Sequence, residues 1–313
     1  MSQQGSRFFS IDDLTHMPRP TWLIDNLLGS RSIAMLAGPP GCYKSFMARD
    51  WMLSMATGRD WAGRAVRCAK SLYILGEGRE NLLKRLQVWR GYNNLSSGEE
   101  ELLSRNFRVT FDMPQMTQKP SVDNLLSSLN EIGFNPDVIV IDTLSRSAVG
   151  MDENSQKDMG MWIEQAERLR DLGMTVIIVH HTAKNTEFGH KFRGSSVILG
   201  AVDTAILQIS QENRVVLKVE KQKDADQGKG MNFNRLIIKQ NNDDDGSIIL
   251  QPTMLVDERF DPNYKSIIDM AIKLIGDDTF KTDSERAEIL SNEYGLSMNA
   301  AKVKLSRVKR GES

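Results

Sequence analysis

Residues 32–46 read SIAMLAGPPGCYKSF. A short apolar run, which predicts a buried strand, enters a turn of glycines and prolines. Lys44 and Ser45 then open SFMARDWMLSMATG, whose composition predicts a helix ending at Gly58. The turn nearly matches the phosphate-binding pattern G-x-x-x-x-G-K-[ST], except that Tyr43 stands where the glycine before the lysine belongs. Strand, glycine-rich turn and helix N-terminus together make an anion cradle, because backbone N–H groups there point at the ligand. Gly38 and Gly41 permit close backbone approach, and Pro39, Cys42 and Phe46 belong to the same cofactor-binding stretch. Lys44 would reach the β- and γ-phosphates of ATP, and Ser45 would ligate Mg²⁺. The Tyr43 ring has three possible places: packed on the core, lining the nucleotide pocket, or touching a neighbouring subunit.

Further along, apolar strands alternate with helices. SLYILGEG, FRVTF, DVIVIDTL and MTVIIVHHT read as strands; RENLLKRLQVWRGY, SVDNLLSSLNEIG and SQKDMGMWIEQAERLRDLG read as helices. The strands are apolar without period-2 alternation, which predicts a parallel sheet covered on both faces. VDTAILQISQ, RVVLKVEKQK, FNRLIIKQ and GSIILQP then follow one another as an antiparallel extension, with NNDDDG as a hairpin turn. The fold class expected is α/β. A P-loop core with a mainly parallel sheet spans 31–255, an N-terminal arm 1–30 packs on it, and a small helical module spans 262–313.

Three strand ends carry further chemistry. Asp142 closes DVIVID, the pattern that sets a carboxylate beside the phosphate loop to hold Mg²⁺ through water. It follows Lys44 by about a hundred residues, room for a strand between the two motif strands, as in RecA-type ATPases and unlike simple nucleotide kinases. Glu77 closes that intervening strand, where it could orient or deprotonate an attacking water. His180 and His181 end VIIVHH, and one of them could sense the γ-phosphate. Arg193 in RGSS and Lys221 and Lys223 in EKQK are candidates for a cation that completes a neighbouring subunit's site.

Taken in order, GPPGCYKSF, LYILGEG, IVIDTLSRSAVGMDENS, VIIVHHTAK and RGSSVILGAVD resemble the RepA-type hexameric helicases of the RecA superfamily. The resemblance covers residues 20 to 240, roughly two-thirds of the chain. It implies a ring-forming, Mg²⁺-dependent NTPase on single-stranded DNA, a homo-oligomer that works beside other replication or recombination proteins. Lys44 and Ser45 would bind phosphate and Mg²⁺, Glu77 would be the catalytic carboxylate and Asp142 the metal-side acid. One histidine of the pair would be the sensor and Arg193 the finger acting in trans. Tyr43 departs from the family pattern.

The bulk composition sets bounds on this reading. Forty Lys and Arg balance 41 Asp and Glu, a net charge of −1, so a DNA site must be local or assembled from several subunits. Two cysteines and four histidines speak against a disulfide framework and a zinc site. No apolar run approaches a membrane span, and a reducing, cytoplasmic setting without a membrane partner is expected. SERAEILSNEYGLSMNAAKVKLSRVKR suggests a helix-turn-helix or winged-helix unit turning at Gly295, with a basic second helix able to lie on DNA phosphates. Trp51, Met52 and Met55 lie at helical spacing and read as core; Trp61 and Trp89 could stack on bases, and packing is the expected role.

Overall fold

In the computed structural model, residues 10–16, 21–153, 155–182, 196–211, 214–223, 231–238, 247–252, 264–276 and 282–294 are described, with 301–302, 305–306 and 309. The chain divides into two compact units, Met1–Met254 and Leu255–Ser313. A short helix, α1 (Ile11–Thr15), precedes a two-stranded antiparallel ribbon of β1 (Trp22–Ile24) and β2 (Leu28–Gly29). Leu23, Ile24, Leu27 and Leu28 of the ribbon are buried in the core of the first unit.

Among the described residues, the first unit is built on a nine-stranded sheet. Its strands are β3 (Ile33–Gly38), β4 (Ser71–Leu75), β5 (Phe107–Thr110), β6 (Val138–Asp142), β7 (Thr175–His181), β8 (Thr204–Gln211), β9 (Arg214–Gln222), β10 (Met231–Ile238) and β11 (Ser247–Pro252). They lie in the order β11-β10-β9-β8-β3-β7-β6-β4-β5. Strands β3 to β8 pair in parallel, and β8 to β11 run antiparallel. This is the expected α/β architecture, a mainly parallel sheet with an antiparallel extension. Its helices are α2 (Lys44–Thr57), α3 (Leu82–Asn93), α4 (Ser97–Asn106), α5 (Lys119–Glu131), α6 (Gln156–Asp171) and α7 (Ser196–Ala201).

Alternate residues of the central strands feed two separate cores. Leu36, Tyr73, Val140, Ile177 and Val179 pack with Met47, Trp51 and Met55 of α2. Met35, Ile74, Ile141, Val176 and Ile178 pack on the other face with Val122 of α5 and Met159 and Trp162 of α6. Both faces are buried, which is why these strands read as uninterrupted apolar runs. Helix α2 ends at Gly58, whose φ of +71° closes the helix in the left-handed conformation and whose N–H bonds Met55 O.

One expectation about the sheet is corrected. The strand between β3 and β6 is β7, which carries the histidines; β4, which leads to Glu77, lies beyond β6. Sequence spacing counts crossovers and does not say on which side of the sheet each next strand is laid down. Helices α4 and α7 were not expected. SSGEEELLSRN lacks a strong apolar stripe, but it starts with a capping box in which Ser96 Oγ accepts from Glu99 N and Glu99 returns to the Ser96 N–H.

Within the second unit, α8 (Tyr264–Ile275) and α9 (Asp283–Tyr294) contribute Ala271, Leu274, Ala287 and Leu290 to a small core with Ala301 and Leu305. Lys309 Nζ lies 2.6 Å from Asp283 Oδ1. Gly295, the NNDDDG turn and most of the basic third segment fall outside the described residues.

Candidate functional site: the phosphate loop and its strand ends

At the end of β3 the chain must turn hard against its neighbour. A Cβ on Gly38 would stand 2.1 Å from the Gln208 backbone oxygen and 2.8 Å from Cys42 Sγ, so only glycine fits. Gln208 Nε2 also donates to Cys42 O, which ties the loop to β8. Gly41 has a φ of +77°. Tyr43 follows at φ +69° and ψ 25°, the left-handed region that glycine enters without cost, and caps α2. The first N–H groups of α2, at Lys44 and Ser45, have no carbonyl one turn back and are left for a ligand.

Lys44 is buried, 4% exposed, and its ammonium is fully engaged. Nζ donates to Gly38 O at 2.8 Å and to Pro39 O at 2.9 Å, and lies 3.2 Å from His181 Nδ1. Burial pushes the Lys44 pKa down. His181 is also pushed down, by burial and then by the Lys44 charge, which favours a neutral imidazole accepting at Nδ1. The register Gly38↔His181 brings the two together. His181 lines the cavity, whereas His180 points to the opposite face and is 1% exposed.

Asp142 is 3% exposed at the end of β6. Tyr73 Oη donates to its Oδ2 at 2.6 Å. Burial raises the Asp142 pKa, opposed by hydrogen bonds from Tyr73 and Ser45 and by the Lys44 charge. Glu77, just past β4, is mostly exposed, and its Oε1 accepts from Arg146 Nε at 2.6 Å. The Gly76 N–H bonds Asp142 O at 2.7 Å, so the ends of β4 and β6 are fastened side by side.

These groups surround a cavity of about 360 Å³, within the size of small-ligand sites. Gly41, Tyr43, Lys44, Ser45 and Phe46 form one wall; Glu77, Asp142 and His181 form the other. Tyr43 also packs: its ring meets Phe46 edge-on at 6.0 Å, and Arg235 lies 5.5 Å over it. Lys221 and Lys223 do not line this cavity. Lys221 Nζ donates to Leu199 O and Gly200 O, and Lys223 pairs with Asp203 at 3.3 Å. Arg193 lies outside the described residues.

Two contributors escaped the sequence reading. Tyr73 is an interior strand residue whose hydroxyl reaches the acid. Arg85, on α3, lines the cavity and stacks 4.8 Å from the Phe46 ring, with the buried Arg49 4.6 Å away. Only the parity of Tyr73 with the α2-facing residues of β4 could have marked it. Trp61 and Trp89 donate their indole N–H groups to the two oxygens of Asp50, at 2.7 and 2.6 Å. Both rings are buried structural parts.

The donor set fits Mg²⁺–ATP. A loop that excludes any Cβ at Gly38 faces one buried carboxylate and one hydroxyl, the sparse protein ligation that Mg²⁺ takes when phosphates and water supply the rest. Among the described residues no helix is long and apolar enough to cross a membrane.

Residues 5–187 match the model of a family described as an AAA domain. The structure of the ATPase domain of G40P is similar at 13% identity and a TM-score of 0.46, over 66% of this chain and 82% of that one. A KaiC-like protein, PH0186 from Pyrococcus horikoshii OT3, is similar at 17% identity and a TM-score of 0.48, over 74% and 94%. No curated protein sequence matches the chain. The family match spans more than half of the sequence and includes the phosphate loop, Glu77, Asp142 and both histidines: the chain belongs to this AAA-domain family of P-loop ATPases.

Proposed function

We propose that the protein is an ATP-driven DNA motor that assembles as a ring, hexameric by its resemblance, and translocates on or unwinds DNA through single-stranded contacts. The observation that supports this most is the convergence of Lys44, Asp142, Glu77 and His181 on one cavity from α2 and three adjacent strand ends. Lys44 exchanges its loop carbonyls for the β- and γ-phosphates. The α2 N-terminus holds the phosphate oxygens. Ser45 and Asp142 would hold Mg²⁺, which neutralises phosphate charge when bound. Glu77 orients the attacking water, and His181 reports the γ-phosphate through its contact with Lys44. Arg193 of a neighbouring subunit would supply the remaining cation, and the loops after Asp142 and His181 would face the DNA.

ATP turnover with and without single-stranded DNA tests the reading, with Lys44→Ala as control. DNA-stimulated turnover that Lys44→Ala abolishes is expected. Full turnover in Lys44→Ala would remove the assignment. A slower relative, an ATP-switched DNA loader or recombination mediator, is favoured by one feature: Glu77 rests on Arg146 instead of standing free. Strand displacement on a forked duplex separates the two, since a loader assembles on DNA without unwinding it.

A further inference from the structure

The pairing of Glu77 with Arg146 has a position that an ordinary surface ion pair lacks. One partner lines the nucleotide cavity, and the other sits in the turn that leads away from Asp142. Arg146 belongs to a single 3₁₀ turn, Leu144–Ser147. That turn is fixed from behind. Met116 N donates to Ser147 O at 2.7 Å, Trp162 Nε1 to Ser147 Oγ at 2.9 Å, and Gln115 Nε2 to Arg146 O at 3.2 Å. A Cβ on Gly76 would stand 3.0 Å from Arg146 Cβ and Cγ, so the Gly76 backbone packs on the stem of the Arg146 side chain. With both backbones held, the pair opens by rotation of side chains. The two side chains are 57% and 64% exposed, so solvent can reach the pair.

We propose that Arg146 is a latch on Glu77, closed in the resting protein and opened when a phosphate of single-stranded DNA takes the guanidinium. The proposal rests on the reading of Glu77 as the water-orienting carboxylate. While Arg146 Nε occupies Oε1, that oxygen is turned from the attacking water and its charge is offset. An exposed ion pair is only weakly held, which a latch requires. A phosphate offers the guanidinium two oxygens in a matching fork, so DNA backbone is a competitive exchange partner. Arg146 touches no reacting atom in this scheme; it is a positioning residue. Three residues on, the strongly exposed Val149 marks where this loop meets solvent.

Steady-state ATP turnover should be measured with and without an oligothymidylate for the full chain, Arg146→Ala, Arg146→Lys, Glu77→Gln and the Arg146→Ala/Glu77→Gln pair. In Arg146→Ala the DNA-free kcat should rise about fivefold or more, the lower range of site-to-site coupling. KM for ATP should stay unchanged, and the extra stimulation by DNA should shrink to match. Arg146→Lys should keep the low resting rate, and the double variant should be inactive. A DNA-free kcat in Arg146→Ala no higher than in the parent overturns the latch while the site reading stands. Should Arg146→Ala fail to fold, Arg146→Gln carries the same expectations. A gain without any DNA stimulation of the parent overturns DNA as the trigger. Undiminished turnover in Glu77→Gln overturns the reading of the site and the latch with it.

Discussion

Tyr43 and Arg235 meet across 192 residues of sequence: the Arg235 guanidinium donates to the Tyr43 hydroxyl and lies 5.5 Å from its ring centroid. Tyr43 stands in the phosphate loop at a positive φ, and Arg235 stands on the antiparallel strand β10. The contact, with Phe46 on another side of the ring, offsets the cost of a side chain in the left-handed region. It also couples the loop to the part of the sheet added after the parallel core.

Replacing Tyr43 separates these two terms. Tyr43→Gly should relieve the backbone and lose the ring, so stability should stay within about 1 kcal/mol of the parent. Tyr43→Ala should be less stable than Tyr43→Gly by roughly 1 kcal/mol, because it loses the ring and keeps the strained φ. Urea denaturation of both variants checks the order. Nucleotide binding should persist in Tyr43→Gly; its collapse would show that the ring has a direct part in the site.

Tyr73→Phe should weaken the metal-dependent step while leaving the fold intact. The hydroxyl orients Asp142 and favours its charged form, and removing partners of this kind typically costs about 10–100-fold in metal affinity or activity. The Mg²⁺ concentration for half-maximal turnover should rise accordingly. An unchanged Mg²⁺ dependence would mean that Asp142 needs no support from β4.

Gly38→Ala should fail structurally. Its Cβ meets a backbone carbonyl of β8 at 2.1 Å, an atom that cannot swing aside as a side chain would. Destabilisation should be at least in the usual overpacking range of about 1–3 kcal/mol, with nucleotide binding lost. A thermal melt unchanged from the parent would show that β3 and β8 can separate.

Asp50 gives a pH dependence to stability. Burial raises its pKa, although the Trp89 and Trp61 hydrogen bonds oppose the rise. A raised carboxyl pKa means that the folded chain binds the proton more tightly than the unfolded chain. Its contribution is therefore fully present below the unfolded value and is lost as pH rises through the folded value. Against Asp50→Asn, the parent should gain relative stability as pH falls from neutral through that window, then level off in the ordinary carboxylate range. Denaturation midpoints at a series of pH values test this. A pH-independent difference would leave only the lost acceptor for one indole.

Much of the architecture was legible because both faces of the parallel sheet are buried. The interiors of IAMLAG, SLYIL, VIVID and TVIIVHH had to be apolar, and the glycine-rich turn before Lys44 and Ser45 marked the strand-to-helix loop. Helix α2 was bounded from sequence by its loop and by Gly58. Helix α4 was missed because its face toward the core is short, although Ser96 and Glu99 signalled its start.

The sequence by itself marked the strand ends that meet at the cavity, since the motifs are local: a turn, a terminal acid, a terminal pair of histidines. Tertiary structure decided how those ends are combined. It set β7 between β3 and β6 and put His181, not His180, on the cavity, because successive residues of a strand face opposite sides and α2 packs on one of them. It brought Tyr73 to Asp142, Arg146 to Glu77 and Arg235 to Tyr43, pairs 69, 69 and 192 residues apart. No local pattern encodes such meetings, because they depend on the order and parity in which the strands are laid side by side.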